Sequence, residues 1–127
     1  MKTIAFRDEH LYDGHKALVW VQIFGRGVEL NLEMVLDTGA VVSVLNRGLA
    51  RGLHLKLESG EPVEVMVANG DVARAYIHNI SLDFLGRRLT VPAAICPDWD
   101  TPNLLGMRGF FDQTVVAFDH ANRTIHF

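Results

Sequence analysis

The chain has 127 residues, of which 49% are hydrophobic and 21% charged, with a formal net charge of −3 at pH 7. That length fits one domain with one core, and the apolar content excludes a disordered chain. The basic residues are scattered and outnumbered by acidic ones, which argues against a groove for nucleic acid.

The first residues, Met1 to Lys16, are polar overall. No signal peptide or membrane span is legible there, so the expected location is cytoplasmic, with no membrane partner. Thr3 to Phe6 reads as a short strand and Arg7 to Lys16 as a polar connector. Ala17 to Phe24 reads as a buried strand, followed by a tight turn at Gly25-Arg26-Gly27. From Val28 to Leu36 the chain alternates, with Val28, Leu30, Leu32 and Met34 on one face and Glu29, Asn31 and Glu33 on the other. This arm delivers Asp37-Thr38-Gly39-Ala40, with Val41, Val42, Val44 and Leu45 beyond. A carboxylate at the end of an apolar strand is costly to desolvate unless its charge is held. Gly39 permits a sharp turn that leaves the carboxylate facing a cleft, and Thr38 adds a hydroxyl able to bond across a local contact. The plainer reading is an ordinary strand-ending turn, since Asp and Gly are common turn formers. Asn46 is a plausible N-cap for a short helix over Arg47 to Arg51, with Gly52 as its stop.

Glu61 to Ala68 and Val72 to Ile77 flank Asn69-Gly70, a strong hairpin signal. Ile80 to Leu85 and Arg88 to Ile95 form a second hairpin about Gly86-Arg87, with Pro92 marking an edge or a bulge. Cys96 is the lone cysteine, read as a reduced, half-buried thiol of a reducing compartment. Pro97 to Asn103 is a loop whose Trp99 is either a binding contact or folded back onto the sheet. Thr114 to Phe118 and Thr124 to Phe127 are strands about an Asp119 to Asn122 turn. Six or more short strands with one or two short helices make an all-β, closed, barrel-like domain.

Val35-Leu36-Asp37-Thr38-Gly39-Ala40 resembles the active-site loop of the retropepsin-like aspartic proteases, the single-domain enzymes of retroviruses and bacteria. Leu104-Leu105-Gly106, with Met107 to Phe111 behind it, is similar to the second signature of that family, two apolar residues and a glycine ahead of a short helix. The resemblance extends over about residues 17 to 127. It implies a retropepsin-type domain over residues 1–127, one half of a dimeric enzyme. It also implies that the hairpin about Asn69-Gly70 is a flap, with Val67, Ala68, Asn69, Gly70 and Asp71 over the substrate. The tip departs from the glycine-rich retroviral form.

Hydrolysing a peptide with carboxylates takes two of them, one ionised to accept a proton from water and one protonated to polarise the carbonyl. At about 3 Å and an effective dielectric near 20, two carboxylates repel by roughly 5 kcal/mol, or about four pKa units, so one proton is shared. Asp37 alone among the aspartates stands in the motif; Asp119 precedes His120-Ala121 and reads as a turn residue, and Asp8, Asp13, Asp98 and Asp100 lie in polar segments. The second carboxylate is then Asp37 of another copy, on the axis of a homodimer. By resemblance, Asp37 serves alternately as base and acid, Thr38 ties the two loops together and Gly39 offers backbone groups to an extended polypeptide. Pockets lined by Val41, Val42 and the flap valines favour apolar or aromatic side chains. Many pepsin-like relatives carry a hydroxyl at the position of Ala40; without that donor, the optimum is expected at milder acidity than in an Ala40→Ser variant. The six histidines show no metal-ligand spacing, and neither metal nor cofactor is expected. The terminal residues Ile4, Phe6, Ile125 and Phe127 are the default dimer contact, by analogy with retroviral relatives. The expected function is an aspartic endopeptidase; the alternative is a catalytically silent dimeric module that binds extended peptides in the same cleft.

Overall fold

The computed structural model describes residues 4–66 and 69–127. Its strands, in chain order, are β1 (Glu9–Leu11), β2 (Leu18–Phe24), β3 (Glu29–Leu36), β4 (Ser43–Val44), β5 (Glu61–Met66), β6 (Val72–Phe84), β7 (Arg87–Ile95), β8 (Leu104–Leu105), β9 (Ala117–Asp119) and β10 (Thr124–His126). The helix α1 (Arg47–Gly52) follows β4, and single 3-10 turns occupy Leu57–Ser59 and Phe111–Gln113.

Alternation decides which way each strand faces. The β2–β3 pairing sets Val19 opposite Met34 and Trp20 opposite Glu33. Val19, Val21 and Ile23 therefore enter the core, while Trp20 stays outside at 66% exposure. The strands β2-β3-β8-β4-β7-β6 follow one another in that order, and β6 returns to β2, closing a six-stranded barrel. Its interior is filled by aliphatic side chains such as Ile23, Met34, Leu45, Leu82 and Leu105, each contributing about 1.5–3 kcal/mol when fully buried. At one end Phe84 meets Phe110 and Phe127 edge-on, at centroid distances of 5.3 and 4.8 Å. Among the described residues no helix is long and apolar enough to cross a membrane.

Several elements differ from the sequence expectations. The first strand is not at Thr3 to Phe6: residues 4–6 carry no strand, and β1 lies inside the supposed polar connector. Pairing rather than hydropathy decides this, because β10 offers an edge on which His10 faces Ile125. The two strands read as Val72 to Ile77 and Ile80 to Leu85 are one. The polar pair His78-Asn79 looks like a break, but β6 runs through it, changing its neighbour on one edge from β5 to β2. In the gap between these neighbours His78 Nε2 lies 2.9 Å from the Leu57 carbonyl. The turn after β6 is Leu85-Gly86, both at positive φ (50° and 78°), one residue before the expected Gly86-Arg87. Pro92 sits within β7 opposite Asn79, and β4 pairs on the other edge only at Ala93 and Ala94. Helix α1 is capped as expected, Asn46 Oδ1 accepting the Gly48 N–H, but it runs through Gly52, and the left-handed turn falls on His54. The helix expected behind Gly106 is a bridge and a turn ending in the 3-10 turn Phe111–Gln113.

The terminal strands pair within the chain. β10 has β1 on one edge and β9 on the other, Ile125 is fully buried, and Phe127 packs on Phe84. Of the four terminal residues expected at a dimer contact, only Ile4 and Phe6 are exposed.

Candidate active site

β3 carries the chain to Asp37 alongside β8, with Val35 paired to Leu104 and Leu36 to Leu105 in parallel register. The Asp37 N–H donates to the Leu105 carbonyl at 2.9 Å. The Gly39 N–H donates to Asp37 Oδ1 at 2.9 Å, and the Ala40 N–H to the Asp37 carbonyl at 3.2 Å. The loop thus turns on itself and leaves the Asp37 carboxylate partly exposed. Among the described residues no basic side chain forms a salt bridge with Asp37.

A second segment braces the loop from behind. The Met107 N–H donates to the Ala40 carbonyl at 2.8 Å and the Arg108 N–H to the Val41 carbonyl at 2.9 Å. A Cβ on Gly106 would stand 2.7 Å from the Ala40 carbonyl oxygen and 2.8 Å from backbone atoms of Val42, so only glycine fits. That contact explains why Leu104-Leu105-Gly106 accompanies Asp37-Thr38-Gly39-Ala40, which the sequence alone leaves as two separate motifs.

Thr38 is exposed beside Asp37 and lines a recess of about 290 Å³ with Tyr12, His15, Phe118 and His120. Tyr12 Oη lies 2.9 Å from His120 Nδ1, and burial and Asp119 push the Tyr12 hydroxyl upward in pKa. Asp119, read from the sequence as a turn residue, ends β9 opposite Thr124, and hydrogen bonds from Asn122 hold its carboxyl below the usual range. Among the described residues no group of three side chains that could hold a metal ion comes together.

The hairpin of β5 and β6 projects past the closed ring, paired from Glu61–Ile77 out to Met66–Val72. At its tip Gly70 takes a φ of 88°, and the Asp71 N–H donates to Asn69 Oδ1 at 2.9 Å. Val67 and Ala68 lie outside the described residues. Beneath the arm lies an almost wholly apolar cavity of about 410 Å³, walled by Val65, Met66 and Asn69 above and by Val44, Cys96, Trp99 and Leu104 below. Gly70 and Asp71 are exposed and do not line it. Neither do Val41 and Val42: Val41 is 77% exposed, and Val42 packs with Ala75, Ala94 and Cys96. Val44, on the face of β4 opposite to the inward Ser43, lines the cavity. Asp37 does not line the cavity; its amide bonds to the carbonyl of Leu105, the residue after the lining residue Leu104.

Trp99 is folded back onto this second apolar cluster. Its loop is tied to the N-cap of α1, where Asn46 Nδ2 donates to Asp100 Oδ1 and to the Thr101 carbonyl, both at 2.7 Å. Cys96 is buried rather than half-buried, at 2% exposure, and burial, with Asp98 nearby, pushes its thiol up in pKa. The sequence reading missed Ser43, whose Oγ accepts the Gly106 N–H at 3.0 Å. The available signal was a single hydroxyl inside Val41-Val42-Ser43-Val44-Leu45.

A closed six-stranded barrel with an Asp-Thr-Gly loop braced by Leu-Leu-Gly is the architecture of the retropepsin-like aspartic proteases. Residues 23–111 match the family described as "gag-polyprotein putative aspartyl protease", and the chain belongs to that family. Solved structures that share its fold include two proteases. EIAV protease, complexed with the inhibitor HBY-793, is 18% identical with a TM-score of 0.62, over 83% of this chain and 96% of that one. A retropepsin-like aspartic protease from Rickettsia conorii is 17% identical with a TM-score of 0.68, over 95% of this chain and 99% of that one. Among curated proteins none matches the chain by sequence.

Proposed function

We propose that residues 1–127 form a single domain and one half of a homodimeric aspartic endopeptidase, which activates water between Asp37 and Asp37 of a second copy. The observation that carries this reading is the mounting of the Asp37 loop, whose backbone is bonded at Asp37, Ala40 and Val41 to the one segment 105–108. A group held this firmly keeps reacting atoms in near-attack geometry. Membership of an aspartic protease family supports the class of chemistry.

One carboxylate, ionised, takes a proton from water as the water oxygen bonds to the peptide carbonyl carbon. The other, protonated, gives its proton to the carbonyl oxygen, so that a neutral diol forms. As the C–N bond breaks, a proton passes from one carboxyl to the leaving nitrogen while a diol hydroxyl gives its proton to the other carboxylate, so that a carboxylic acid and an amine are released and the pair again holds one proton. Thr38 ties the paired loops, and Gly39 presents its backbone to substrate. The arm of β5 and β6, with Asn69, Gly70 and Asp71 at its tip, closes over an extended peptide that bonds through its main chain, and the flap assignment of Val67 and Ala68 goes with it. The cavity beneath the arm takes an apolar substrate side chain, as its lining of Val44, Val65, Met66 and Leu104 favours.

Wild type and Asp37→Asn incubated with an unfolded protein at mildly acidic pH test the reading. Wild type cleaves, the variant does not, and a statine-type inhibitor stops the wild type. Cleavage by Asp37→Asn, or cleavage insensitive to the inhibitor, would falsify the aspartic mechanism; inhibitor binding without cleavage by wild type would leave a silent peptide-binding module.

A further inference from the structure

The peptide group joining Leu105 to Gly106 is gripped at both ends. Its carbonyl accepts the Asp37 N–H at 2.9 Å, and its N–H donates to Ser43 Oγ at 3.0 Å. A peptide group is planar, so fixing the direction of its N–H fixes that of its carbonyl. Ser43 is 1% exposed and, with Thr124, one of two buried polar residues among those described. Leu105 and Gly106 are buried as well, so solvent offers the Gly106 N–H no substitute acceptor. Ser43 belongs to β4, where it pairs with Ala93 of β7. The hydroxyl is thus fixed to the barrel wall, whereas Asp37 stands on a loop.

We infer that Ser43 is a positioning residue for Asp37, its hydroxyl orienting the Leu105–Gly106 peptide plane on which the Asp37 backbone is registered. Ser43 does not touch the cavity beneath the arm; it faces the barrel interior among Met34, Leu45 and Ala93. An apolar residue in its place leaves a buried N–H without a partner, frees the peptide plane to rotate and loosens the loop. Its catalytic consequence rests on the assignment of Asp37 made above; the clamp itself does not.

Ser43→Ala and Ser43→Thr test this in the full chain, with kinetics on a cleavable peptide and amide hydrogen exchange read by NMR. In Ser43→Ala, kcat falls about tenfold to a hundredfold with KM near that of wild type, the scale expected for a misplaced reacting group. The amides of Gly106 and Asp37 lose protection while those of the barrel strands keep it. Ser43→Thr, which keeps the acceptor, restores both. Should Ser43→Ala not fold, Ser43→Cys takes its place, since sulfur is a weak acceptor of similar size; its kcat and its two amides are then expected between wild type and complete loss. A variant lacking the hydroxyl that retains wild-type kcat, or keeps Gly106 and Asp37 fully protected, overturns the inference. If wild type does not cleave, or Asp37→Asn does, the assignment of Asp37 fails, and exchange at Gly106 and Asp37 still decides the clamp.

Discussion

Gly106 shows how little room the braced loop leaves. With the Ala40 carbonyl oxygen 2.7 Å from where a Cβ would stand, Gly106→Ala has to push two backbone segments apart. The expected cost is about 1–3 kcal/mol, as for other overpacked sites, seen as a lower midpoint in urea unfolding. Cys96 gives a pH-dependent counterpart. Its thiol is raised in the folded chain by burial first and Asp98 second. The stability it contributes is therefore present below the unfolded value of about 8.5 and is lost as pH rises through the folded value. Urea unfolding of wild type and Cys96→Val from pH 7 to pH 10 checks this; wild type loses stability relative to the variant as pH rises. The reach of the sequence differs between these residues. Asp37, Thr38 and Gly39 are legible because a turn and a carboxylate leave a local pattern. Gly106 is legible only as a motif, because its reason is a contact with Ala40 and Val42, more than sixty positions earlier in the chain. The Ser43 bond spans 63 residues and leaves no local mark beyond a polar residue in an apolar run.

Among the elements, α1 bears on the site through its cap. Asn46 Oδ1 accepts the Gly48 N–H, its Nδ2 holds Asp100 and Thr101, and its own N–H donates to Asn103 Oδ1 at 2.8 Å. Asn46→Ala is expected to cost about 1–2 kcal/mol, at the upper end for an N-cap, and to free the Trp99 loop. Thermal unfolding reads the first effect and Trp fluorescence the second. The cap itself was legible, since Asn ahead of a short helix is a local signal; its second duty was not, because Asp100 and Thr101 lie on a loop with no pattern of its own. The strands show the same division. β2, β3 and β7 follow their alternation, whereas β1 exists because β10 provides an edge, and β6 continues through His78-Asn79 because β7 pairs with it from Tyr76 to Phe84.

For the whole molecule, one Asp-Thr-Gly loop per chain puts the proposed two-carboxylate site between two copies. Mixing wild type with a growing excess of Asp37→Asn is then expected to lower the rate per wild-type chain, as mixed dimers draw active partners away. A rate that stays constant through a tenfold excess, once subunits have exchanged, counts against the shared site. A partner approaching the chain ends meets Ile4 and Phe6, because β10 already has neighbours on both edges. The barrel as a class was legible from strand count and turn spacing. That it closes was expected too; which strands close it was not legible, since that depends on Gln22, Ile23 and Phe24 meeting Asp83, Leu82 and Ser81 across the ring.

The unbroken run of β6 sets where the molecule has give. From Val72 to Ala75 the strand has β5 alone beside it; from Tyr76 onward β7 joins on the other side, and at Ser81 to Asp83 β2 completes the ring. A hinge at Tyr76 to Ile77 or at Ser81 to Asp83 would tear ladders on two sides, and one at His78 to Ile80 the ladder to β7. The boundary of rigidity is therefore expected between Ala75 and Tyr76, and a guest admitted beneath the arm is expected to bend the outermost stretch while the barrel stays whole.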